Sequence, residues 1–175
     1  MSENIKKNLL KVREMTIEDA EETAQIEAEN FSKPWKQKDF EDAVRSKNTL
    51  YMVIENQDEI IGYAGMWLVL DEGEITNVSI KKSCWGQRAG THLMEEFLKE
   101  AEKRGGTSFF LEVRESNLRA RKLYRSFGFE EIDVRKKFYE EPVEDGIVMC
   151  KRWQNCYLFL YLKMVSYRIF EKNSV

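Results

Sequence analysis

Leu111-Glu112-Val113-Arg114-Glu115-Ser116-Asn117, followed by Leu118, Ala120, Leu123-Tyr124 and Phe127-Gly128-Phe129, compresses a strand, a turn, a helix, a glycine stop and the next strand into one crossover. Leu-Glu-Val-Arg is short and β-prone. Leu118, Ala120, Leu123 and Phe127 recur at helical spacing, and Gly128 ends the pattern. The same stretch places a carboxylate, an amide and a phenol at fixed stations around the crossover. Each also has a plain structural reading: Glu112 as the solvent-facing member of an alternating strand, Asn117 as a helix N-cap, Tyr124 as a core aromatic with its hydroxyl at the surface.

Working outward, the spacing predicts a strand around Leu10 to Val12. A capping-box-like start at Thr16-Ile17-Glu18-Asp19 follows, with Asp in place of the usual Glu, opening a helix to about Asn30. Pro34 and Trp35 break that helix, and a second runs from about Lys38 to Arg45. Leu50 to Glu55 and Ile60 to Leu70 form a hairpin across the polar turn Asn56-Gln57-Asp58-Glu59. A strand over Glu74 to Ile80 leads through a polar, glycine-containing loop into a helix from about Gly90 to Arg104. Leu93, Met94, Phe97, Leu98 and Ala101 make its apolar face, and Gly105-Gly106 ends it. Strand, two helices, three strands, helix, strand, helix and two strands give an α/β fold, a mixed central sheet flanked by helices with one central crossover.

The crossover residues closely resemble the second half of the GCN5-related N-acetyltransferase (GNAT) acyl-CoA N-acyltransferase fold. Within it they are most similar to the bacterial ribosomal-protein alanine N-acetyltransferases, where this strand reads Leu-Glu-Val-Arg and the helix ends Leu-Tyr before a Gly-Phe strand. Glu74-Ile75-Thr76-Asn77-Val78-Ser79-Ile80 resembles the family's central strand, and Pro142 to Met149 its last. Ile26-Glu27 through Phe31-Ser32-Lys33-Pro34-Trp35 resembles its first helix and the following loop. The likeness covers roughly Leu10 to Met149. It implies one N-acetyltransferase domain over residues 1–175, with a family-like core at 10–149 and an atypical C-terminal extension at 150–175.

The resemblance also implies roles for particular residues. The backbone of Val78, Ser79 and Ile80 would hold the pantetheine arm of acetyl-CoA and polarise its thioester carbonyl, and Asn117 would contact the same cosubstrate. The diphosphate would sit on Gly86, Gln87, Arg88, Ala89, Gly90 and Thr91, because a helix N-terminus offers unpaired N–H groups and a favourable dipole to an anion. This loop departs from the family's Arg/Gln-x-x-Gly-x-Gly/Ala pattern. Trp85 stands at its first position and Arg88 at its middle glycine, so a positive φ there would be strained while the guanidinium could add a phosphate contact. Taken without the family, the loop also reads as a plain strand-to-helix turn.

Glu112 occupies the position of the family's general base, acting through a water, and Tyr124 that of the general acid protonating the departing sulfur. An α-amine with pKa near 8 is roughly a tenth neutral at pH 7 and a lysine below about a thousandth, so an N-terminal acceptor asks less of its base. Losing either catalytic group would slow the reaction by roughly 10²- to 10⁴-fold. Tyr139 resembles one of a tyrosine pair in the loop before the last strand that lines the acceptor entrance, with Phe138 in place of the other. Glu144 and Asp145 read equally as acids that attract an amine or as solvated loop residues. The implied acceptor is a protein N-terminus, that of the alanine of ribosomal protein S18. The alternatives are a lysine or small-amine acetyltransferase, or a non-catalytic CoA-binding module.

Composition narrows the partners. With 42% hydrophobic and 34% charged residues and a net charge of -3, the 175-residue chain has enough length to bury a core. It carries no basic footprint for nucleic acid. Cys84, Cys150 and Cys156 form no Cys-x-x-Cys pair and are odd in number, which suits a reducing cytoplasm. A single histidine, His92, expected on a helix surface, argues for no metal site. The polar start Met1 to Lys7 lacks a signal peptide's apolar run, so the chain is expected to be cytoplasmic. Tyr157-Leu158-Phe159-Leu160-Tyr161-Leu162 is far shorter than the ~20 residues of a membrane span. That tail is expected to be a packed extra element or a self-association surface.

Overall fold

The computed structural model describes residues 10–152. In chain order it contains β1 (Leu10–Glu14), α1 (Ala20–Asn30), α2 (Gln37–Arg45), β2 (Thr49–Asn56), β3 (Glu59–Val69), β4 (Glu72–Ile80) and α3 (Ala89–Lys103). There follow β5 (Ser108–Arg114), α4 (Leu118–Ser126), β6 (Glu130–Glu140) and β7 (Val143–Arg152). Short 3-10 turns at Ile17–Asp19 and Lys82–Cys84 lead into α1 and α3. The expected element order is met. The strands form one sheet in the order β1-β2-β3-β4-β5-β7-β6, in which only the β4–β5 pair is parallel. That pair needs a crossover, and α3 supplies it.

Each face of the sheet has its own core, because alternate strand residues point to opposite sides. On one side Met66, Ile75, Leu111 and Ile147 pack under α3 and α4 with Leu93, Phe97 and Phe129. On the other, Ile26 of α1 and Phe40 of α2 close over Tyr51, Val53 and Tyr63. Phe97 and Phe40 are fully buried, and truncating either to Ala would cost about 3–5 kcal/mol. The capping box at the start of α1 forms as its spacing predicts, with Asp19 accepting the Thr16 backbone N–H at 2.7 Å. The same carboxylate takes two bonds from Arg13, at 2.6 and 2.8 Å, and Arg13 Nε reaches Glu55 at 2.6 Å. Burial opposes ionisation of Asp19, but the Arg13 and Thr16 bonds outweigh it and hold the carboxyl below its ordinary value.

Two irregularities open the sheet where chemistry can happen. Gly65 faces Asn77 while Met66 faces Ile75, so Thr76 is an extra residue bulged out of β4. Its hydroxyl meets the Tyr51 phenol at 3.1 Å, and Tyr51 lies so close to Gly65 that any Cβ there would sit 2.1 Å from the ring. Immediately past this bulge β4 and β5 part. Glu72 to Ile75 pair with Ser108 to Leu111, and no pairing continues beyond.

Two expectations near the C-terminal end are corrected. Tyr139 lies in β6 rather than in a loop, because β6 resumes pairing with β7 at Tyr139–Glu144 after a bulged stretch. Strand β7 continues past Met149 through Arg152, since Cys150 and Lys151 still pair with β5. The apolar run at Tyr157–Leu162, Cys156, and the expected tail packing or self-association lie outside the described residues. Among the described residues no helix is long and apolar enough to cross a membrane.

Candidate active site

The parting of β4 from β5 leaves a cleft of about 640 Å³ bounded by β4, the loop into α3, and α4. Val78, Ser79 and Ile80 form one wall. On one side they pair with Ala64, Tyr63 and Gly62 of β3, and on the other they face the gap, so the outward edge offers backbone groups to a ligand. Asn30, at the end of α1, fixes this wall by donating to Ser79 Oγ at 2.8 Å. Beneath it, the buried Glu27 carboxylate accepts from Asn77 Nδ2 at 3.1 Å and from the Tyr63 hydroxyl. Burial raises the Glu27 pKa against those bonds.

The far end of the cleft suits an anion. Lys82, Arg88, Arg119 and Lys122 line it and no carboxylate does. Gly86 and Arg88 both have positive φ, +81° and +64°, and Arg88 is the N-cap of α3, so the loop turns sharply to present that helix's first N–H groups. Arg88 thus adopts the glycine-like conformation despite its Cβ, at a cost of about 1–2 kcal/mol. Trp85 braces the loop: its indole N–H donates to the Ile80 carbonyl at 2.8 Å, and the Arg119 guanidinium lies 4.9 Å from its ring centre. Gly90, Ala89 and Thr91 also line the cleft, as does Asn117, which caps α4 by accepting the Ala120 N–H at 3.1 Å. Gln87 does not line it; its side chain folds back onto the Ser83 carbonyl at 3.0 Å.

Tyr124 lines the inner end of this cleft and is almost fully buried, which pushes its phenol well above the ordinary value and keeps it protonated. Glu112 is on β5 just beyond the last β4–β5 pair. Its side chain shares a face with Trp67, Glu74 and Phe110, opposite to the α3 core. Burial raises its pKa, Arg135 of β6 opposes this through a 2.8 Å ion pair, and the Glu74 charge adds to the rise. Tyr139 is near enough to both groups for its charge to raise Tyr124 and for Glu112 to raise it. Its own phenol is pushed up to about 12, chiefly by burial, against the Arg114 guanidinium 4.2 Å above its ring. A carboxylate and two phenols therefore approach one another where the sheet opens.

The sequence profile of the acetyltransferase (GNAT) family matches residues 16–129. The chain belongs to that family. Its relatives include the [ribosomal protein bS18]-alanine N-acetyltransferase of Haemophilus influenzae, 34% identical over 143 residues covering 80% of this chain and 93% of that protein. The protein of the same name from Escherichia coli K12 is 32% identical over 126 residues, covering 71% and 84%. The crystal structure of the E. coli ribosomal-protein-S18-alanine N-acetyltransferase superposes with a TM-score of 0.75 at 28% identity, covering 85% of this chain and 99% of that one.

Several parts of this acetyltransferase's cleft escape a linear scan. Arg119 and Lys122 sit three apart on α4, and that helical spacing after Asn117 is a signal that could have found them. Asn30 and Arg135 act through contacts 49 and 23 residues away in sequence, to Ser79 and Glu112, for which no local signal exists. Glu144 and Asp145 belong to β7 and are already engaged: Glu144 bonds Arg114 and the Ser116 N–H, and Asp145 bonds Lys136 and the Lys137 N–H. His92 is half-buried rather than on the surface. It lies with Glu95 and Glu96 within 4.8 Å on α3, where both carboxylates bond Lys99.

Proposed function

We propose that this acetyltransferase moves the acetyl group of acetyl-CoA to the N-terminal amine of a protein, with the N-terminal alanine of ribosomal protein S18 as the acceptor. The observation that carries the reading is the split between β4 and β5. On one side it opens into a cation-lined cleft with a helix N-terminus at its end, and on the other lies Glu112 near Tyr139, which in turn lies near Tyr124. An apolar mid-section, a free strand edge and a carboxylate-free cationic end fit the pantetheine and phosphates of acetyl-CoA in turn. The identity to enzymes named for bS18 alanine supports the acceptor.

Bound acetyl-CoA supplies the activated acyl group. Val78, Ser79 and Ile80 hold the pantetheine through their outward edge and orient the carbonyl. Gly86 and Arg88 to Thr91, with Asn117, Arg119 and Lys122 near them, hold the phosphates, and Arg88 offers a guanidinium where the family has glycine. Glu112 accepts the proton that the acceptor amine loses as its C–N bond forms, through an intervening water. Tyr124 gives its proton to the sulfur as the C–S bond breaks, and its raised pKa ensures that it holds one at neutral pH. Tyr139, clamped by Arg114, lines the acceptor's approach.

The experiment is acetyl transfer to a free Ala-starting peptide with the sequence of the S18 N-terminus, set beside an N-blocked peptide containing lysine, with acetylated mass and released thiol as readouts. Modification of the free terminus alone is expected. Transfer to the lysine peptide alone would overturn the acceptor assignment, and transfer to neither would remove the peptide reading altogether.

A further inference from the structure

A second cavity, of about 430 Å³, lies on the acceptor face and is lined by Trp35, Asp39, Asp42, Ala43 and Trp67. Trp35 comes from the loop before α2 and leans on Phe40, their rings 5.4 Å apart. Asp39 and Asp42 are on α2, and Trp67 stands on β3 with 42% of its surface exposed. Trp67 thus presents apolar surface to solvent at this cavity. Two indoles and two carboxylates around one open depression suit an organic cation, since the ring quadrupoles and the acids attract the same charge.

The acids have capacity for such a guest. Asp39 commits Oδ2 to the Lys36 N–H at 2.7 Å. Asp42 makes only long surface pairs, 3.4 Å to Lys38 and 3.6 Å to Arg45, and exposed pairs of this kind contribute little and exchange readily.

The cavity is also in line with the catalytic base. Trp67 pairs with Glu74, Glu74 pairs with Phe110, and Glu112 is two residues further along β5 on the same face. Two strand spacings and one two-residue step put the backbone at Trp67 roughly 12 Å from that at Glu112. An extended chain covers that distance in about four residues. The exposed Glu74 lies between, so the path from base to cavity is acidic at its start, middle and end.

We propose that this cavity is a cation subsite that takes a guanidinium or ammonium side chain at about the fourth or fifth residue of the acceptor. The subsite rests on the N-terminal acetyltransferase reading and sets a specificity that reading leaves open, namely a basic residue downstream of the amine that reacts.

The test compares two free Ala-starting peptides that differ only in arginine against its neutral isostere citrulline at residues four and five. The arginine peptide is expected to show a KM about tenfold lower with the same kcat, the size of a partly desolvated cation–π contact. That difference should vanish in both Trp67→Ala and Asp42→Asn, with the KM for acetyl-CoA unchanged. Equal KM values in the unaltered protein, or an arginine preference that survives both substitutions, would overturn the proposal. If neither peptide is acetylated, the catalytic reading fails separately. The subsite is then decided by titrating N-acetyl-arginine amide against the indole N–H resonances of Trp35 and Trp67. Shifts that disappear in Asp42→Asn would uphold the cation site, and unmoved resonances would overturn it.

Discussion

Glu112 and Arg135 show how one side chain sets the working range of another. In the proposed role of general base Glu112 acts only when ionised, and four influences compete over its proton: burial and Glu74 raise its pKa, while the Arg135 guanidinium at 2.8 Å and a hydrogen bond from its own backbone lower it. Removing the guanidinium takes away the larger of the two lowering influences. Arg135→Ala should therefore move the acidic limb of the kcat/KM profile to higher pH, because activity rises only as Glu112 loses its proton. A pH–rate series for the two proteins checks this, and an unmoved limb, or one moved to lower pH, would contradict it. Glu112, Asn117 and Tyr124 were legible in sequence through the family resemblance, and strand, cap and helix fix their spacing locally. Arg135 was not, since the bulges in β6 decide which of its residues turns toward β5.

At the scale of the element, the loop into α3 combines two effects of one residue. Arg88 holds φ +64°, a conformation that favours glycine, and it also lines the cationic end of the cleft. Arg88→Gly should relieve about 1 kcal/mol of backbone strain, partly offset by the flexibility glycine gains when unfolded. The resulting rise in Tm is about 2–3 °C. The same substitution removes a charge that the proposed function sets against the diphosphate, so the KM for acetyl-CoA should rise several-fold. Thermal denaturation and steady-state kinetics read the two effects separately, and a lower Tm would refute the strain argument. Most elements were legible from their periodicity: the apolar stripe of α3 and the Gly105-Gly106 stop place that helix to within a residue. The bulge at Thr76 was not, because it arises from how Tyr51 packs on Gly65 across three strands.

Across the whole molecule, the sheet separates two tasks. In the proposed function the cofactor cleft is built mainly from the α3–α4 side and the acceptor path from the α1–α2 side, and they meet only where β4 and β5 part. The element order legible in the sequence implies this sheet, but the extent of β4–β5 pairing, which ends at Ile75 and Leu111, depends on long-range packing that no local pattern encodes. The separation has a consequence for variants: altering the base on one face should leave binding on the other intact. The most direct test is Glu112→Gln, with acetyl-CoA affinity measured by calorimetry and a single turnover to a free Ala-starting peptide followed at pH 7. Affinity for acetyl-CoA equal to that of the unaltered protein, with transfer slowed roughly 10²- to 10⁴-fold, is the predicted result. A transfer rate within twofold of the unaltered protein would contradict the assignment of Glu112 as the base.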